Sequence, residues 1–281
     1  MVIGFNVSGL IEETLIKWIQ SLIQDILQFI NQFVFNYDGI AGYALEVYNL
    51  FVWLGGLLMV TLALGKVILQ IISEGEGSQE ASVYWVLVQA VKGSSLIFIM
   101  PIIISFIMNN LVMPIGTYII NNIGEISTTL VNDMIDPNSE YFVEVFNGTI
   151  SIIVFGIFIT FVFIFFIFKM VLTQANILLN EILTPLVAIS VMTENYNFVE
   201  NWWRDLIMHS LTIIVLAISL LLFIESISLN QGEPFKQLPL IIGSGAMVIT
   251  GPTLVKSIWY KSGLGRTGSS VARSVMMGMR R

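Results

Sequence analysis

The apolar positions of the chain fall into long runs with no polar face and one shorter run with a clear one. Ile11, Leu15, Trp18, Leu22, Ile26, Phe29 and Phe33 recur at helical spacing, and Glu13, Lys17, Gln20, Gln24, Gln28 and Asn31 fill the opposite side. That pattern predicts an amphipathic helix over 9–35 that lies along an interface and does not cross a membrane. Its apolar face suits packing on the protein's own bundle and contact with a partner equally. Residues 47–65 then run without charge up to Lys66, whose long side chain can reach back to a lipid surface, so a first span is expected there. The polar, Gly- and Ser-containing stretch 73–82 reads as a loop. The charge-free run from Gly93 to Gly124 is divided by Pro101, Asn109, Asn110, Pro114, Asn121 and Asn122, which places a second span at 94–113. Residues 150–168 hold 16 Leu, Ile, Val or Phe out of 19. With no polar stripe, this third span is expected to face lipid. Residues 206–224 and 238–255 are two further candidates.

The segment 172–192 is different. Asn176, Asn180 and Thr184 recur at i, i+4 and i+8, with Thr173 on the same side and Glu181 adjacent. Lipid rejects such a stripe, so it is expected to face protein, water or a pore. Pro185 removes one helical hydrogen bond, which suits a broken helix lining a cavity. The plainer reading makes Glu181 a hydrogen-bonded group between helices. His209, Thr212 and Ser219 share one face of the next run, where a lone His is more often an interhelical hydrogen-bonder than a proton relay. Trp202 and Trp203, followed by Arg204, read as an aromatic anchor at the membrane surface.

Composition fixes the solvent. Of 281 residues 56% are hydrophobic and 11% charged, too little charge to coat a soluble domain of this length. The fold class expected is all-α: a polytopic helical membrane protein with about five transmembrane helices, an N-terminal amphipathic helix and a re-entrant or buried polar helix. Without Cys, and with His209 as the one His, thiol chemistry and multi-histidine metal sites are excluded. Gly263, Gly265 and Gly268 spell GxGxxG, but no strand precedes them, and no other nucleotide-binding motif is present. Ser244 and His209 lie too far apart along the membrane normal for a protease pair. No catalytic, cofactor or metal site is therefore expected, and the start of the chain has no basic n-region or cleavage signal of a removable leader.

Charge supplies the orientation. None of the 19 acidic residues lies beyond Glu233, whereas Lys256, Lys261, Arg266, Arg273, Arg280 and Arg281 make half of the 12 basic ones. Basic residues collect on the cytoplasmic side, so the C-terminus is expected there. Between Gly93 and Ser151 there is no Lys or Arg but Glu125, Asp133, Asp136, Glu140 and Glu144, which assigns that loop to the outside. An even number of crossings must follow the third span. Charge does not choose between 172–192 and 238–255 as the one that fails to cross, but the Glu181 penalty makes 172–192 the poorer span. The expected division is an outer amphipathic helix over 1–42, a transmembrane domain over 43–255 and a basic cytoplasmic tail over 256–281. In the tail, Arg273, Arg280 and Arg281 oppose Val271, Ala272, Val275, Met276 and Met279, a pattern suited to anionic lipid or to docking on a partner.

From Leu178 to Ile218 the chain reads LLNEILTPLVAISVMTENYNFVENWWRDLIMHSLTIIVLAI. This order, a polar helix into L-x-P-L, then a polar aromatic stretch, then W-x-x-L-I opening a long span, resembles the TrbL-type polytopic membrane subunit of type IV secretion and conjugation machines. Pro185, Trp202 and Trp203 carry the motif. The resemblance implies an outer N-terminus, five spans, a cytoplasmic C-terminus and a place in the inner-membrane translocation path for a DNA–protein substrate. It further implies a non-enzymatic scaffold or channel subunit; a homo-oligomer is expected because five spans with one strongly lipophilic and one polar helix have little interior of their own for a large substrate. Its partners would be other secretion-machine membrane subunits, a cytoplasmic ATPase, the lipid bilayer and, transiently, transported single-stranded DNA or protein. The outer loop is short for the family, and the Ile- and Asn-rich composition suits a Gram-positive element. The rival reading is a small-solute or ion-coupled transporter, motivated by Glu181 and the broken helix. It predicts inverted repeats, and comparing 47–113 with 150–255 reveals none.

Overall fold

The structure is a computed structural model that describes residues 14, 17–18, 21–22, 25–26, 28–30, 36–75, 83–119, 121, 149–193, 198–228 and 234–261. Every regular element among them is helical: α1 (Tyr43–Gly75), α2 (Val83–Ile107), α3 (Thr149–Ile182), α4 (Thr184–Ile189), α5 (Val199–Ser228) and α6 (Pro234–Lys261). A π-turn at Met108–Val112 carries α2 on as far as Ile119. Among the described residues four helices are long and apolar enough to cross a membrane, namely Tyr43–Gly75, Val83–Ile119, Ile153–Ile182 and Val199–Ile227. The expected span at 238–255 lies within α6, whose described apolar part is Pro239–Gly251. All-α polytopic architecture follows.

The polar segment is not an element of its own. Residues 172–182 continue the third span without interruption, because the only breaker between Thr149 and Thr184 is Gly156. Thr173 stays helical by donating its hydroxyl to the Lys169 carbonyl at 2.7 Å. The break falls later, at Leu183, and what is buried beyond it is the short α4 and a 3₁₀ turn, Ser190–Met192. Nor does the third span face lipid all round. Phe155, Ile159, Val162, Phe166 and Met170 are buried at helical spacing, whereas Val154, Ile157, Phe161, Ile164 and Phe168 are exposed.

The chain forms two compact units. One comprises Met1–Asn36, Val112–Thr173 and Leu211–Arg281. Its interior is aromatic: Phe158 and Phe163 each meet Phe223 edge-on, with ring centroids 6.2 and 6.1 Å apart. Gly245 of α6 lies on these rings, and a Cβ there would come within 2.9 Å of Phe158. The Ser226 and Ser244 hydroxyls pair across α5 and α6 at 2.8 Å, so Ser244 is engaged as an interhelical hydrogen-bonder. In the N-terminal segment Trp18, Leu22 and Phe29 of the expected apolar stripe are helical and exposed.

The other unit comprises Tyr37–Leu111 and Gln174–Ser210. Here α1 and α2 run antiparallel. The Tyr48 phenol donates to the Ile97 carbonyl at 3.1 Å, and Lys66 Nζ donates to Gln89 Oε1 at 3.1 Å. Gly42, at φ +55°, starts α1, with the Leu45 N–H returning to its carbonyl. Outward, α1 presents Trp53, Leu57, Leu64 and Ile68. The inner face carries small residues that admit a third segment.

Candidate functional site at a broken helix

Pro185 has no N–H, so the carbonyl of Glu181 loses its helical partner, and an unpaired carbonyl in an apolar interior is costly. Thr184 supplies the replacement: its hydroxyl donates to the Glu181 carbonyl at 2.8 Å. One residue earlier, the Asn180 carbonyl accepts the Trp202 indole N–H at 3.2 Å. The Leu186 and Val187 N–H groups share the Leu183 carbonyl at 3.1 Å each, which starts the short helix α4. The Asn180 and Glu181 carbonyls at the break are thus re-paired by side chains.

Beyond α4 the chain folds back on itself. Ser190 donates its hydroxyl to the Val187 carbonyl at 2.6 Å and accepts the Phe198 N–H at 2.9 Å, so the two sides of the turn are tied through one side chain. The Trp202–Asn180 bond closes the hairpin at its base. The hairpin packs on α1 and α2 where side chains are smallest. A Cβ on Gly55 would lie 3.3 Å from Pro185 Cβ, and one on Gly93 would lie 3.2 Å from the Ala188 carbonyl oxygen. Ile189 and Met192 join Met59 and Val86 in an apolar cluster, flanked by Leu62, Ala63, Val67, Ala90 and Leu186.

At the break the Glu181 side chain is buried, and the Tyr37 phenol donates to its Oε2 at 2.6 Å. Tyr37 sits in the irregular strap 36–41 ahead of α1. Burial first, and then the adjoining Glu181 carboxyl, push the Tyr37 phenol well above its ordinary range, so it stays protonated and donating at neutral pH. Gly39 passes over the carboxyl at φ +68°, with a Cβ position 3.7 Å from Oε1. Tyr48 of α1, whose phenol donates to the Ile97 carbonyl, lies near Glu181 and Thr184. Among the described residues no group of His, Asp or Glu is arranged to hold a metal ion. What the arrangement can do is hold a proton or a hydrogen bond on one buried carboxyl, and hold or release the strap above it.

The family model for conjugal transfer protein TrbL matches residues 3–281. The chain belongs to that family. No curated protein and no solved structure matches it. Conjugation is thus the process this membrane chain serves, and the family is one of structural components of that process.

In this TrbL-family chain two of the three motif residues, Pro185 and Trp202, meet the candidate polar residues Glu181 and Thr184 at the break. Glu181, Thr184, Pro185 and Trp202 are all buried there, whereas Asn176 and Asn180 are half-buried on α3. The two tryptophans divide their roles: Trp203 is exposed and stacks on Trp202 at 5.5 Å, but Trp202 is a hydrogen-bonded part of the hairpin base and not a surface anchor. His209, half-buried and engaged, lies two helical turns farther along α5. Arg273, Arg280 and Arg281 lie outside the described residues. Sequence reading missed Tyr37, Tyr48, Gly55 and Gly93. The one available signal for Tyr37 was the turn-forming Asn36, Asp38 and Gly39 around it.

Proposed function

We propose that this protein is a non-enzymatic scaffold or channel subunit in the cytoplasmic membrane part of a conjugative type IV secretion machine. The observation that carries the reading is the family match from residue 3 to residue 281, over a chain with four helices able to cross a bilayer. Transport energy then comes from a separate cytoplasmic ATPase, and the other membrane subunits are its neighbours. Homo-oligomerisation supports a path: the polar groups at the break are taken up within the chain, so a route wide enough for single-stranded DNA or a polypeptide needs several copies. The same pairing disfavours a solute permease. In permeases the broken helix leaves carbonyls for the cargo, whereas here Thr184 and Trp202 occupy those of Glu181 and Asn180.

In-frame deletion of the reading frame from its element, with the full chain supplied in trans, tests the proposal. Transfer should fall at least about a hundredfold and return on complementation, and the purified chain in vesicles should accumulate no small solute. Undiminished transfer in the deletion strain would overturn it.

A further inference from the structure

We propose that the strap Tyr37–Gly42 is a latch, in which the Tyr37 phenol on Glu181 holds the segment 183–193 shut at its break and release of that contact opens Thr184 and the Glu181 carboxyl to water. The strap has the build of a movable piece. Residues 36–41 form no helix, and Gly39 within the strap and Gly42 at its end both take positive φ, a conformation that is costly for other residues. Among the described residues its inward hold is a short hydrogen bond, 2.6 Å, between a buried phenol and a buried carboxyl.

The other end of that bond is equally poised. Among the described residues the groups facing the Glu181 side chain are Tyr37 from the strap and Tyr48 from α1, and neither is basic. A carboxyl in an apolar interior without a cation stays there only while its oxygens are hydrogen-bonded. Withdrawal of the phenol leaves Oε2 unpaired next to a helix break whose Leu183 junction has no side-chain cap. Water then becomes the best remaining partner for the carboxyl. Thr184, bonded to the Glu181 backbone and next to Tyr48, is carried by the same movement.

The latch deepens the reading of the break as the working part of a conjugation subunit and rests on it for its purpose. Its test uses the purified full-length chain without the machine, so failure of the latch and failure of the conjugation role are separate results. The chain has no Cys, which allows Thr184→Cys, at a fully buried position, to report opening through its rate of labelling by a water-soluble maleimide. In that background Tyr37→Phe, which removes one hydroxyl, should accelerate labelling up to about tenfold, the scale of a lost hydrogen bond. Glu181→Ala should also accelerate it, and the double variant should be no faster than the faster single, because both act through one contact. Hydrogen exchange of residues 183–192 in chains lacking the reporter gives the same comparison independently of the thiol. An unchanged rate in Tyr37→Phe, or single effects that multiply in the double variant, would overturn the latch.

Discussion

Gly93 of α2 faces the backbone carbonyl of Ala188 so closely that a Cβ on it would stand 3.2 Å from that oxygen and 2.5 Å from Met59 Cε. The methionine end can swing away, but the carbonyl belongs to α4 and moves only with the hairpin. Gly93→Leu is therefore expected to cost about 1–3 kcal/mol by overpacking, read as a lower unfolding temperature of the detergent-solubilised protein. Gly56, one residue from the packed Gly55, has nothing within 4 Å of its Cβ position. Gly56→Ala should be neutral or stabilise by up to about 1 kcal/mol through helix propensity. Equal destabilisation by the two changes would show that the hairpin does not seat on Gly93.

Trp202 and Trp203 are adjacent and stacked, yet the indole N–H of Trp202 alone serves the Asn180 carbonyl. Trp202→Phe keeps most of the ring volume and leaves that carbonyl short of a partner, at an expected cost of about 1–3 kcal/mol. Trp203→Phe, at an exposed position, should stay within about 0.5 kcal/mol of the parent. Thermal unfolding of the two variants side by side checks the asymmetry, and a larger loss in Trp203→Phe would contradict it.

How much of this was legible in the sequence depended on whether a residue's pattern carried information. Pro185 after a polar stripe pointed to a broken helix, and Glu181 and Thr184 were named because lipid would not tolerate them. The third span gave no sign of which side it buries, since Phe155, Phe161 and Phe166 look alike in a run that is apolar all round; packing against Phe223 and Gly245 decides it. The end of that helix was placed too early because the unbroken apolar run stops at Phe168, whereas Thr173 bonds back to Lys169 and the helix runs on to Ile182. Tyr37 meets Glu181 across 144 positions of sequence, and no periodicity reports a contact of that range. Gly55 and Gly93 sat inside apolar runs where a glycine has no pattern of its own.

The Tyr37 phenol is pushed above its ordinary value of 10.0 by burial and by Glu181. Its pKa is thus higher folded than unfolded, so the neutral form is the one the fold favours. The corresponding stability is fully present below about pH 10, the unfolded value, and is lost as pH rises from there through the folded one. Unfolding free energy measured against pH should therefore fall more steeply above about pH 10 in the parent than in Tyr37→Phe. Parallel curves for the two proteins in that range would remove Tyr37 as the titrating group.

Orientation rests on charge. Single cysteines at Ser139, within the acidic stretch, and at Ser270, within the basic tail, should be labelled by an impermeant maleimide from opposite sides of the cell membrane. Labelling of both from the outside would reverse the assignment of the tail.

The tail carries the most concentrated positive charge in the chain, and its arrangement separates two roles. The sequence pattern predicts a Gly- and Ser-rich lead over 263–270, then a helix on which Arg273, Arg280 and Arg281 oppose Val271, Val275 and Met279. Against anionic lipid each basic residue adds about 1 kcal/mol, but helices already able to cross the bilayer hold the protein in place, so removing the tail should change little if lipid is its only partner. Docking on an acidic surface of a cytoplasmic ATPase predicts the opposite: truncation after Ser262 leaves a stable, inserted protein that no longer co-purifies with the ATPase, and transfer falls at least about tenfold. Charge reversal of Arg273, Arg280 and Arg281 to Glu should reproduce that loss with the chain length kept, and raised salt should weaken the parent complex in the same way, since exposed ion pairs are screened within about 8–10 Å at physiological ionic strength. The docking role is expected to show in all three measurements. Normal co-purification and transfer after truncation leave the tail as a lipid anchor.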